Sequence, residues 1–392
     1  MKKPYDRIET KIIHAGEPEN RVLGAVCPPI FQTAMFEYEG GSAYKDLKYI
    51  RLNNSPNHQV LHGKLAALEN AEAGLVFASG MAAISTTMLA HLRPGDHILA
   101  QDCLYGGTYD FITKDLAELG IGHDFVSADR PETWSGRVKP ETKLFYSESL
   151  TNPLLQLIDH RQVTAFAGRH GLLSVIDNTF ATPLNFRPID WGYDLVVHSC
   201  TKYLNGHSDL VAGAVVGRAD LVEQVLLKLN HLGGSLDPHT CFLLHRGIKT
   251  LAVRVRYQNE STQTLARFLA GHPMVSRVNY PGLESHPDHQ LARELMSGFG
   301  GVLSFELEGG AEAAELFIKS THIPVETFSL GGVETLLIQP AKTSHSGMSA
   351  QERRQAGISD GLIRLSVGLE ATEELIDDFS QALDRVGSLS RA

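Results

Sequence analysis

The chain contains few cysteines, its first residues do not form an apolar segment, and it has no long uninterrupted apolar stretch. Its four cysteines stand far apart and form no Cys-x-x-Cys pair, so the sequence indicates neither a zinc knuckle nor a disulfide framework. The first residues, MKKPYDRIETKIIHAG, carry charges where a secretory signal has an apolar stretch, so we expect a protein of the reducing cytoplasm. Residues 73–92 are weakly charged but interrupted by polar side chains, and we interpret them as a core strand followed by a buried helix, not a membrane span.

The chain also lacks an excess of positive charge and the glycine-rich motifs of the common nucleotide-binding folds. Lysine and arginine number 35 against 45 aspartates and glutamates, so the net charge is −10 and we expect no nucleic-acid partner. Neither G-x-G-x-x-G nor G-x-x-x-x-G-K-[ST] occurs, which leaves dinucleotide and P-loop sites without support. What is present, 43% hydrophobic and 20% charged residues, is typical of a globular protein. A length of 392 residues indicates one large domain plus a smaller one.

Short apolar runs alternate with helix-length amphipathic segments over residues 61–250. This pattern predicts a mostly parallel sheet covered by helices, because continuous apolar strands need burial on both faces. The predicted strands are GLVFAS, DHILAQ, HDFVSA, TKLFYSES, GLLSVIDN, YDLVVHS and LVAGAVVG. Residues 1–60 contain many turn formers and little periodicity, so we expect an arm that needs a partner surface.

Residues 251–392 are predicted to form a second, smaller domain. A long helix is expected over residues 247–271, because apolar side chains recur there at helical spacing. We expect this helix to join the two domains. Beyond it, strands are predicted at VLSFELE, TLLIQPA and IRLSVGLE, and helices at AEAAELFIK and TEELIDDFSQAL. The fold class is therefore α/β, with a large domain that has a mostly parallel sheet and a smaller α+β domain at the C-terminus.

Polar side chains follow several predicted strands, at the sheet edge where ligands of α/β proteins bind. Gly80 and Met81 open a helix directly after the first strand, and free N–H groups with the helix dipole make such a start an anion site. Asp177 ends another strand. The next strand is followed by two hydroxyls and an amine, those of Ser199, Thr201 and Lys202. Burial at a strand end is expected to lower the pKa of Lys202 from about 10.4 and to make its amine a nucleophile or a base.

Simpler interpretations exist for each of these residues taken alone. Gly80 suits a tight turn without any ligand, and Asp177 with Lys202 suits a plain salt bridge. The combination favours pyridoxal 5′-phosphate (PLP), whose aldehyde forms a Schiff base with a lysine. Its ring nitrogen pairs with a carboxylate, and its phosphate binds hydroxyls and helix N–H groups. Tyr105, in the turn CLYGGTY, is placed to stack on such a ring, although a tyrosine in a glycine turn is usually structural.

Histidine is abundant, with 18 residues, and makes a metal enzyme the main alternative class. His58 and His62 stand four residues apart, as zinc ligands on one helix do, but the glutamate of H-E-x-x-H is absent, so we expect no metal. His198 and His207 are predicted to satisfy hydrogen bonds near the same sheet edge.

Several longer motifs stand along the chain, namely ASGMAAIS, CLYGGTYDF, DNTFATP, HSCTKYLNGHSD, RGIKTLAVR, SLGGVETL and IRLSVGLE. Through these motifs the sequence resembles the Cys/Met-metabolism family of PLP-dependent enzymes. HSCTKYLNGHSD is highly specific for the family, and the match runs from about Ala15 to Leu383. The family includes cystathionine γ-synthase, cystathionine γ- and β-lyases, methionine γ-lyase and the homoserine-ester sulfhydrylases. The resemblance implies a fold of the aspartate-aminotransferase type and a homotetramer built from two active-site dimers.

The resemblance also implies a role for each matching residue. Lys202 would bind the cofactor's aldehyde, Asp177 would pair with the ring nitrogen, and Tyr105 would stack on the ring and shuttle protons. The phosphate would be held by Gly80, Met81, Ser199 and Thr201, and by Tyr49 and Arg51 of a neighbouring subunit. The substrate α-carboxylate would be clamped by Arg364, with Asn152 and Ser329 assisting.

The expected reaction is γ-elimination from a γ-substituted L-2-amino acid, with cleavage of a C–S or C–O bond. A γ-replacement transferase, of the cystathionine γ-synthase or O-acylhomoserine sulfhydrylase type, and a cystathionine β-lyase stay open, because one such site serves all three. Gly107 stands where methionine γ-lyases carry cysteine, which argues against that activity. Phe328 and Lys48 stand where cystathionine enzymes often carry acids, which favours another substrate, such as canavanine or an acylated homoserine.

Overall fold

The computed structural model describes residues 5–41, 46–343, 346 and 349–389, which form two compact units. The first unit comprises the residues up to Asp102 together with Gly107–Ser149 and Ile158–Ala252. The second comprises Cys103–Gly106, Leu150–Leu157 and the residues from Val253 onward. Within the described ranges, no helix is both long and apolar enough to cross a membrane.

The first unit contains a seven-stranded sheet within the described part of the chain. Its strands are β1 (Ala73–Phe77), β2 (His97–Gln101), β3 (Gly122–Val126), β4 (Thr142–Glu148), β5 (Leu173–Asp177), β6 (Leu195–Ser199) and β7 (Gly213–Gly217). They lie in the order β1-β7-β6-β5-β4-β2-β3, and all neighbours are parallel except that β7 is antiparallel to β1 and β6. Each predicted apolar run forms one of these strands, which confirms the mostly parallel sheet.

Up to residue 250 the helices are α1 (Ile8–His14), α2 (Pro56–Glu69), α3 (Gly80–His91), α4 (Gly106–Asp110), α5 (His160–His170), α6 (Thr182–Asn185), α7 (Ala219–Leu232) and α8 (Pro238–Ile248). Of these, α2, α3, α5 and α7 pack against strands of the sheet, and α1 and α8 pack against α2. β1 followed by α3 confirms the interpretation of residues 73–92 as a core strand and a helix. The central strands are buried along nearly their whole length, which is why apolar residues predominate in their sequences.

The start of the chain is more ordered than its turn-rich composition predicts. α1 packs against α2, and its Ile12 side chain is buried. The buried Lys64 of α2 donates from Nζ to the carbonyl oxygens of Ile12 at 2.8 Å and Ile13 at 3.1 Å. These bonds satisfy the last carbonyls of α1, so the helix is tied to the first unit. A lone lysine in a sequence gives no sign of this contact, because lysine is usually exposed.

The long helix predicted over residues 247–271 begins later, as α9 at Leu251. Before it, the N–H of Thr250 donates to the carbonyl oxygen of Gly247 at 3.3 Å, which is the tight spacing of a helix end. Gly247 also lies so close to Asn205 that a Cβ would collide with the Asn205 carbonyl oxygen. The predicted helix is therefore interrupted where Gly247 packs against Asn205, a residue distant in sequence. The apolar periodicity of residues 247–271 does not reveal this contact.

The second unit contains a five-stranded sheet, counted over its described residues. Its strands are β8 (Val275–Asn279), β9 (Val302–Leu307), β10 (Val325–Glu326), β11 (Leu336–Ile338) and β12 (Leu362–Ser366), in the order β10-β11-β12-β9-β8. Its helices are α9 (Leu251–Ala270), α10 (His289–Leu295), α11 (Gly310–Ser320), α12 (Ala350–Gln355) and α13 (Thr372–Leu389). All strand pairs are antiparallel except β10 with β11, and α11 packs on β9, β12 and α13. This is the predicted α+β unit, with β8 and β10 as strands that the sequence did not reveal.

Candidate active site

The carboxyl edge of the first unit's sheet brings an acid and a lysine to neighbouring strand ends. Asp177 is the last residue of β5, and Ser199 is the last residue of its parallel neighbour β6. Asp177 is paired with Val197, so Ser199 extends two residues further along the same edge. The turn after β6 carries Lys202, whose N–H donates to the Ser199 carbonyl oxygen at 3.2 Å. The topology therefore brings these residues to the same edge of the sheet, and their roles there stay predictions.

The Asp177 carboxyl group is nearly buried, with 8% of the residue exposed. Burial raises its pKa, while hydrogen bonds from Thr179 and the nearby His198 act in the opposite direction. The Thr179 N–H donates to Asp177 Oδ1 at 2.9 Å. A buried carboxylate is stabilised by a cationic partner, so this position suits the protonated nitrogen of a heterocyclic ring.

The first turn of α3 lies against the end of β6. Ser79 caps the helix by accepting a hydrogen bond from the Ala82 N–H at 3.0 Å. The N–H groups of Gly80 and Met81 have no acceptor within the helix, because they belong to its first turn. A Cβ on Gly80 would lie only 2.8 Å from Ser199 Cβ, so glycine is what lets the two elements approach. Helix N–H donors, the helix dipole and a hydroxyl therefore lie together, as a phosphate site requires.

The hydroxyl of Thr201, the second one predicted to hold the phosphate, forms hydrogen bonds with the main chain of Ala212. Its Oγ1 donates to the Ala212 carbonyl oxygen at 3.2 Å and accepts from the Ala212 N–H at 3.1 Å. A hydroxyl has a single proton, so Thr201 donates to an anion only when that proton turns away from Ala212.

Tyr49 and Arg51 form a separate pair in the segment before α2. Arg51 Cζ lies 5.5 Å from the centroid of the Tyr49 ring, a distance typical of a cation–π contact. Arg51 Nη1 also donates to the Asn230 carbonyl oxygen in the last turn of α7, at 2.7 Å. The structure thus brings these two residues together, and their role at a neighbouring subunit's phosphate stays a prediction.

The residues predicted to bind the substrate carboxylate lie together in the second unit. Arg364, on β12, is 4% exposed and donates from Nη1 to Asn152 Oδ1 at 3.1 Å. Its Nη2 donates to the carbonyl oxygen of Ser329 at 2.7 Å, so Ser329 contributes its main chain to this contact. The φ of Ser329 is 120°, a strained value for a residue other than glycine. These two acceptors fix the plane of the guanidinium. Tyr105 also belongs to the second unit and is 47% exposed.

His58 and His62 have protein partners inside the first unit. His58 Nδ1 lies 2.7 Å from Ser55 Oγ, and Nε2 lies 2.7 Å from the Leu236 carbonyl oxygen. His62 Nε2 lies 3.4 Å from Asn53 Nδ2. Burial lowers the pKa of His58 to about 4, so its ring is neutral at pH 7 and serves as a packed hydrogen-bonding group.

This lowered pKa predicts an acid-dependent loss of stability that His58→Gln reduces. The folded-state pKa of His58 is about 4 against an ordinary 6.5, so between these values the unfolded chain binds a proton that the folded chain does not. Stability therefore falls as the pH drops through this window, by up to about 1.4 kcal/mol per pH unit from this group. Urea unfolding at pH 7 and pH 5 measures the difference. The exposed His231→Gln is the control, and an unchanged pH dependence in His58→Gln contradicts the prediction.

His198 and His207 make the hydrogen bonds predicted for them. His198 Nε2 lies 2.6 Å from Glu69 Oε1, and both side chains are buried. Asn178 donates from Nδ2 to the same Glu69 oxygen at 2.9 Å. His207 Nδ1 lies 2.7 Å from the Asn205 carbonyl oxygen.

Comparison with known proteins decides the family. The model of the Cys/Met metabolism PLP-dependent enzyme family matches residues 9–384. The chain belongs to this family. Its membership confirms the resemblance found in the motifs, and it makes PLP the cofactor and amino-acid chemistry the class of reaction.

Relatives within the family include named lyases. The chain is 41% identical over 379 residues to cystathionine beta-lyase of Lactococcus lactis subsp. cremoris, and the alignment covers 96% of this chain and 99% of that protein. It is 40% identical over 379 residues to cystathionine gamma-lyase of Bacillus subtilis, again with 96% and 99% covered. The crystal structure of cystathionine gamma-lyase from Lactobacillus plantarum complexed with L-serine superposes with a TM-score of 0.93 at 36% identity, covering 97% of this chain and 100% of that chain. The predicted fold of the family is therefore confirmed.

The residues of the first unit fit the family's cofactor on physical grounds. Lys202 provides the amine that the PLP aldehyde requires, and the nearly buried Asp177 suits its ring nitrogen. At the other end, the absence of a Cβ on Gly80 lets the Ser199 side chain lie against the start of α3. The first-turn N–H groups of α3 and the Ser199 hydroxyl are therefore close together, a donor set that suits a phosphate.

Proposed function

We propose that the protein is a PLP-dependent γ-lyase that cleaves a C–S or C–O bond of a γ-substituted L-2-amino acid. The observation that carries the proposal is the pair of Asp177 and Lys202 at adjacent strand ends of a chain from this family. Relatives named as cystathionine lyases support carbon–sulfur cleavage.

We assign the cofactor to side chains of the first unit. Lys202 holds it through its aldehyde carbon, and Asp177 keeps its ring nitrogen protonated. Its phosphate is assigned to the start of α3 and the end of β6, namely Gly80, Met81, Ser199 and Thr201. Tyr49 and Arg51 are assigned to the phosphate in a neighbouring subunit.

The bound cofactor supplies an electron sink for the pair left behind when a substrate C–H bond breaks. Lys202 takes the Cα proton as a base and returns protons as an acid. Tyr105 protonates the leaving atom, which lets the Cγ bond break without releasing an unstable anion. Arg364 binds the α-carboxylate with two parallel N–H···O bonds, and its contacts with Asn152 and Ser329 hold the guanidinium plane for that purpose.

Phe328 supports a substrate other than cystathionine. Its side chain is 76% exposed and directly precedes Ser329, whose carbonyl oxygen binds Arg364. A phenyl ring offers no anionic partner for a distal ammonium group, so we propose a substrate that lacks one at that end. An acylated homoserine meets this condition, and methionine-like cleavage is disfavoured by Gly107. Canavanine, whose distal oxyguanidine is a much weaker base than an alkyl ammonium group, is kept as the second oxygen-linked candidate.

Product analysis tests the proposal. The holoenzyme is incubated with an O-acylhomoserine, canavanine and cystathionine, and the 2-oxo acids and ammonia are quantified. Elimination at Cγ leaves a four-carbon 2-oxo acid, whereas elimination at Cβ of cystathionine leaves a three-carbon one. We expect the four-carbon acid. Release of only the three-carbon acid establishes cystathionine β-lyase, the second candidate, which the Lactococcus relative favours. Turnover that requires an added thiol establishes the γ-replacement alternative.

We also propose the domain and assembly roles that the resemblance implies. Residues 1–60 act as an arm against a neighbouring subunit, residues 61–250 as the PLP-binding domain and residues 251–392 as the small domain of a cytoplasmic homotetramer. Exposed apolar side chains in the arm, among them Leu23 and Met35, support its contact with another copy of the chain.

A further inference from the structure

We infer that Gln258, a buried glutamine of α9, is a positioning residue that holds the Arg364 guanidinium and the Ser329 carbonyl oxygen in their relative places for the substrate carboxylate. The inference rests on the proposed role of Arg364. Gln258 lies within the second unit, with 0% of the residue exposed. The sequence analysis assigned it no role. Its helical spacing from the apolar residues Val255 and Leu265 was a usable signal, because a polar side chain there interrupts an apolar stripe.

The Gln258 amide donates two hydrogen bonds to the main chain. Its Nε2 donates to the carbonyl oxygen of Gly332 at 2.8 Å and to that of Val367 at 3.0 Å. Carbonyl oxygens can only accept, so it is the amide nitrogen that faces them, and each of its two protons serves one bond. One side chain therefore ties two separate segments of the chain together.

These two segments carry the two partners of one contact at the carboxylate site. Gly332 belongs to residues 329–332, and the Ser329 carbonyl oxygen at the start of this segment accepts from Arg364 Nη2 at 2.7 Å. Val367 directly follows β12, the strand that carries Arg364. The Gln258 amide thus joins the segment of the acceptor to the strand of the donor.

A second buried bond links the same two segments. The N–H of Gly331 donates to the Oγ of Ser366, the last residue of β12, at 2.9 Å. Ser329 has a φ of 120°, and such a strained value persists only where neighbouring contacts hold the backbone in place. We therefore expect loss of the Gln258 bonds to let residues 329–332 relax, so that the Ser329 carbonyl oxygen no longer fixes the guanidinium.

Binding of L-alanine tests this inference independently of which bond the enzyme cleaves. L-Alanine has the α-amine and the α-carboxylate of a substrate but no leaving group, and ethylamine has the amine without the carboxylate. Each compound is titrated into the holoenzyme, and the change in visible absorption of the bound cofactor gives its dissociation constant. The ratio of the two constants measures the contribution of the carboxylate.

Gln258→Met and Gln263→Met form a matched pair of variants. Methionine is unbranched like glutamine but has no N–H donor. Gln263 lies on the same helix and donates from Nε2 to the Gly282 carbonyl oxygen at 3.1 Å, so its replacement removes a similar bond to a different segment. We expect Gln258→Met to raise the dissociation constant of L-alanine roughly 5- to 100-fold, the range for two hydrogen bonds between neutral groups. Ethylamine binding is expected to stay unchanged, and Gln263→Met is expected to change neither constant.

Arg364→Lys separates this inference from the proposed function. It is expected to weaken L-alanine binding, and Gln258→Met is expected to add no further loss in that background, because the amide acts through the guanidinium. Wild-type binding of L-alanine by Arg364→Lys overturns the role of Arg364 itself. So does a wild-type enzyme that binds L-alanine no more tightly than ethylamine.

Three results overturn the inference about Gln258 alone. The first is wild-type binding of L-alanine in Gln258→Met while Arg364→Lys is impaired. The second is an equal loss for L-alanine and ethylamine, or for Gln258→Met and Gln263→Met, which shows a general loosening of the second unit. The third is a further loss from Gln258→Met in the Arg364→Lys background. Circular dichroism verifies folding, and if Gln258→Met does not fold, Gln258→Asn replaces it, because the shorter amide cannot reach both carbonyl oxygens.

Discussion

Lys202→Ala is expected to abolish both the yellow colour of the bound cofactor and the release of 2-oxo acid. Alanine cannot bind the PLP aldehyde, so the visible absorption that depends on this covalent link disappears. It also removes the base that takes the Cα proton, and loss of such a group lowers turnover by roughly 10²- to 10⁴-fold. Absorption spectra of the purified holoenzyme and a 2-oxo acid assay measure the two effects.

Lys143→Ala provides the matched control for this variant. Lys143 is an exposed lysine near the start of β4, so its removal is expected to change neither colour nor turnover. A small primary amine added to Lys202→Ala is expected to restore part of the turnover, because it can accept the Cα proton from solution. If Lys202→Ala is yellow and active, the assignment of the cofactor to this lysine is wrong.

Arg364→Lys is expected to produce the second large effect, a loss of kcat/KM. Lysine keeps the charge but not the planar fork that binds a carboxylate through two parallel bonds. It also loses the geometry of the contacts with Asn152 and Ser329. Two hydrogen bonds to a charged group are together worth about 3–6 kcal/mol, so we expect a fall of roughly 10²- to 10⁴-fold. Steady-state kinetics with the best substrate of the product screen measures it.

The controls for Arg364→Lys use both a substrate and a variant. An analogue that lacks the α-carboxylate is expected to bind wild type and Arg364→Lys equally, since it never contacts the guanidinium. Arg277→Lys, at an exposed arginine on β8, is expected to leave kcat/KM unchanged. Equal losses for the substrate and the analogue argue that Arg364 stabilises the second unit and does not bind the carboxylate.

Much of the first unit was predictable because buried parallel strands have a distinct local pattern. Their residues are mostly apolar, so a charged residue such as Asp177 marks the point where a strand ends. β8 was not predictable in this way, because only its last residue is buried and it lacks an apolar run. The anchoring of α1 by Lys64 was also invisible, since it depends on two segments that are distant in sequence.

In the candidate site, too, the sequence predicted which residues are present, and only the structure showed some of their contacts. The identities of Asp177 and Lys202 and their order along the chain were readable from the motifs. The contribution of Ser329 through its main-chain carbonyl oxygen was not, because a sequence names side chains only. The hydrogen bond from the Ser199 N–H to Thr179 Oγ1 likewise needs the register of β5 against β6.

The amino-acid sequence by itself determined the family, the cofactor and the class of chemistry, because these depend on which functional groups the chain carries and on local apolar patterns. The tertiary structure alone decided how those groups are held: the burial of Asp177, the hydrogen-bonded plane of Arg364 and the closeness of α3 to β6. Burial and hydrogen bonding set the charge and orientation of a side chain, and both arise from contacts between residues far apart in the chain.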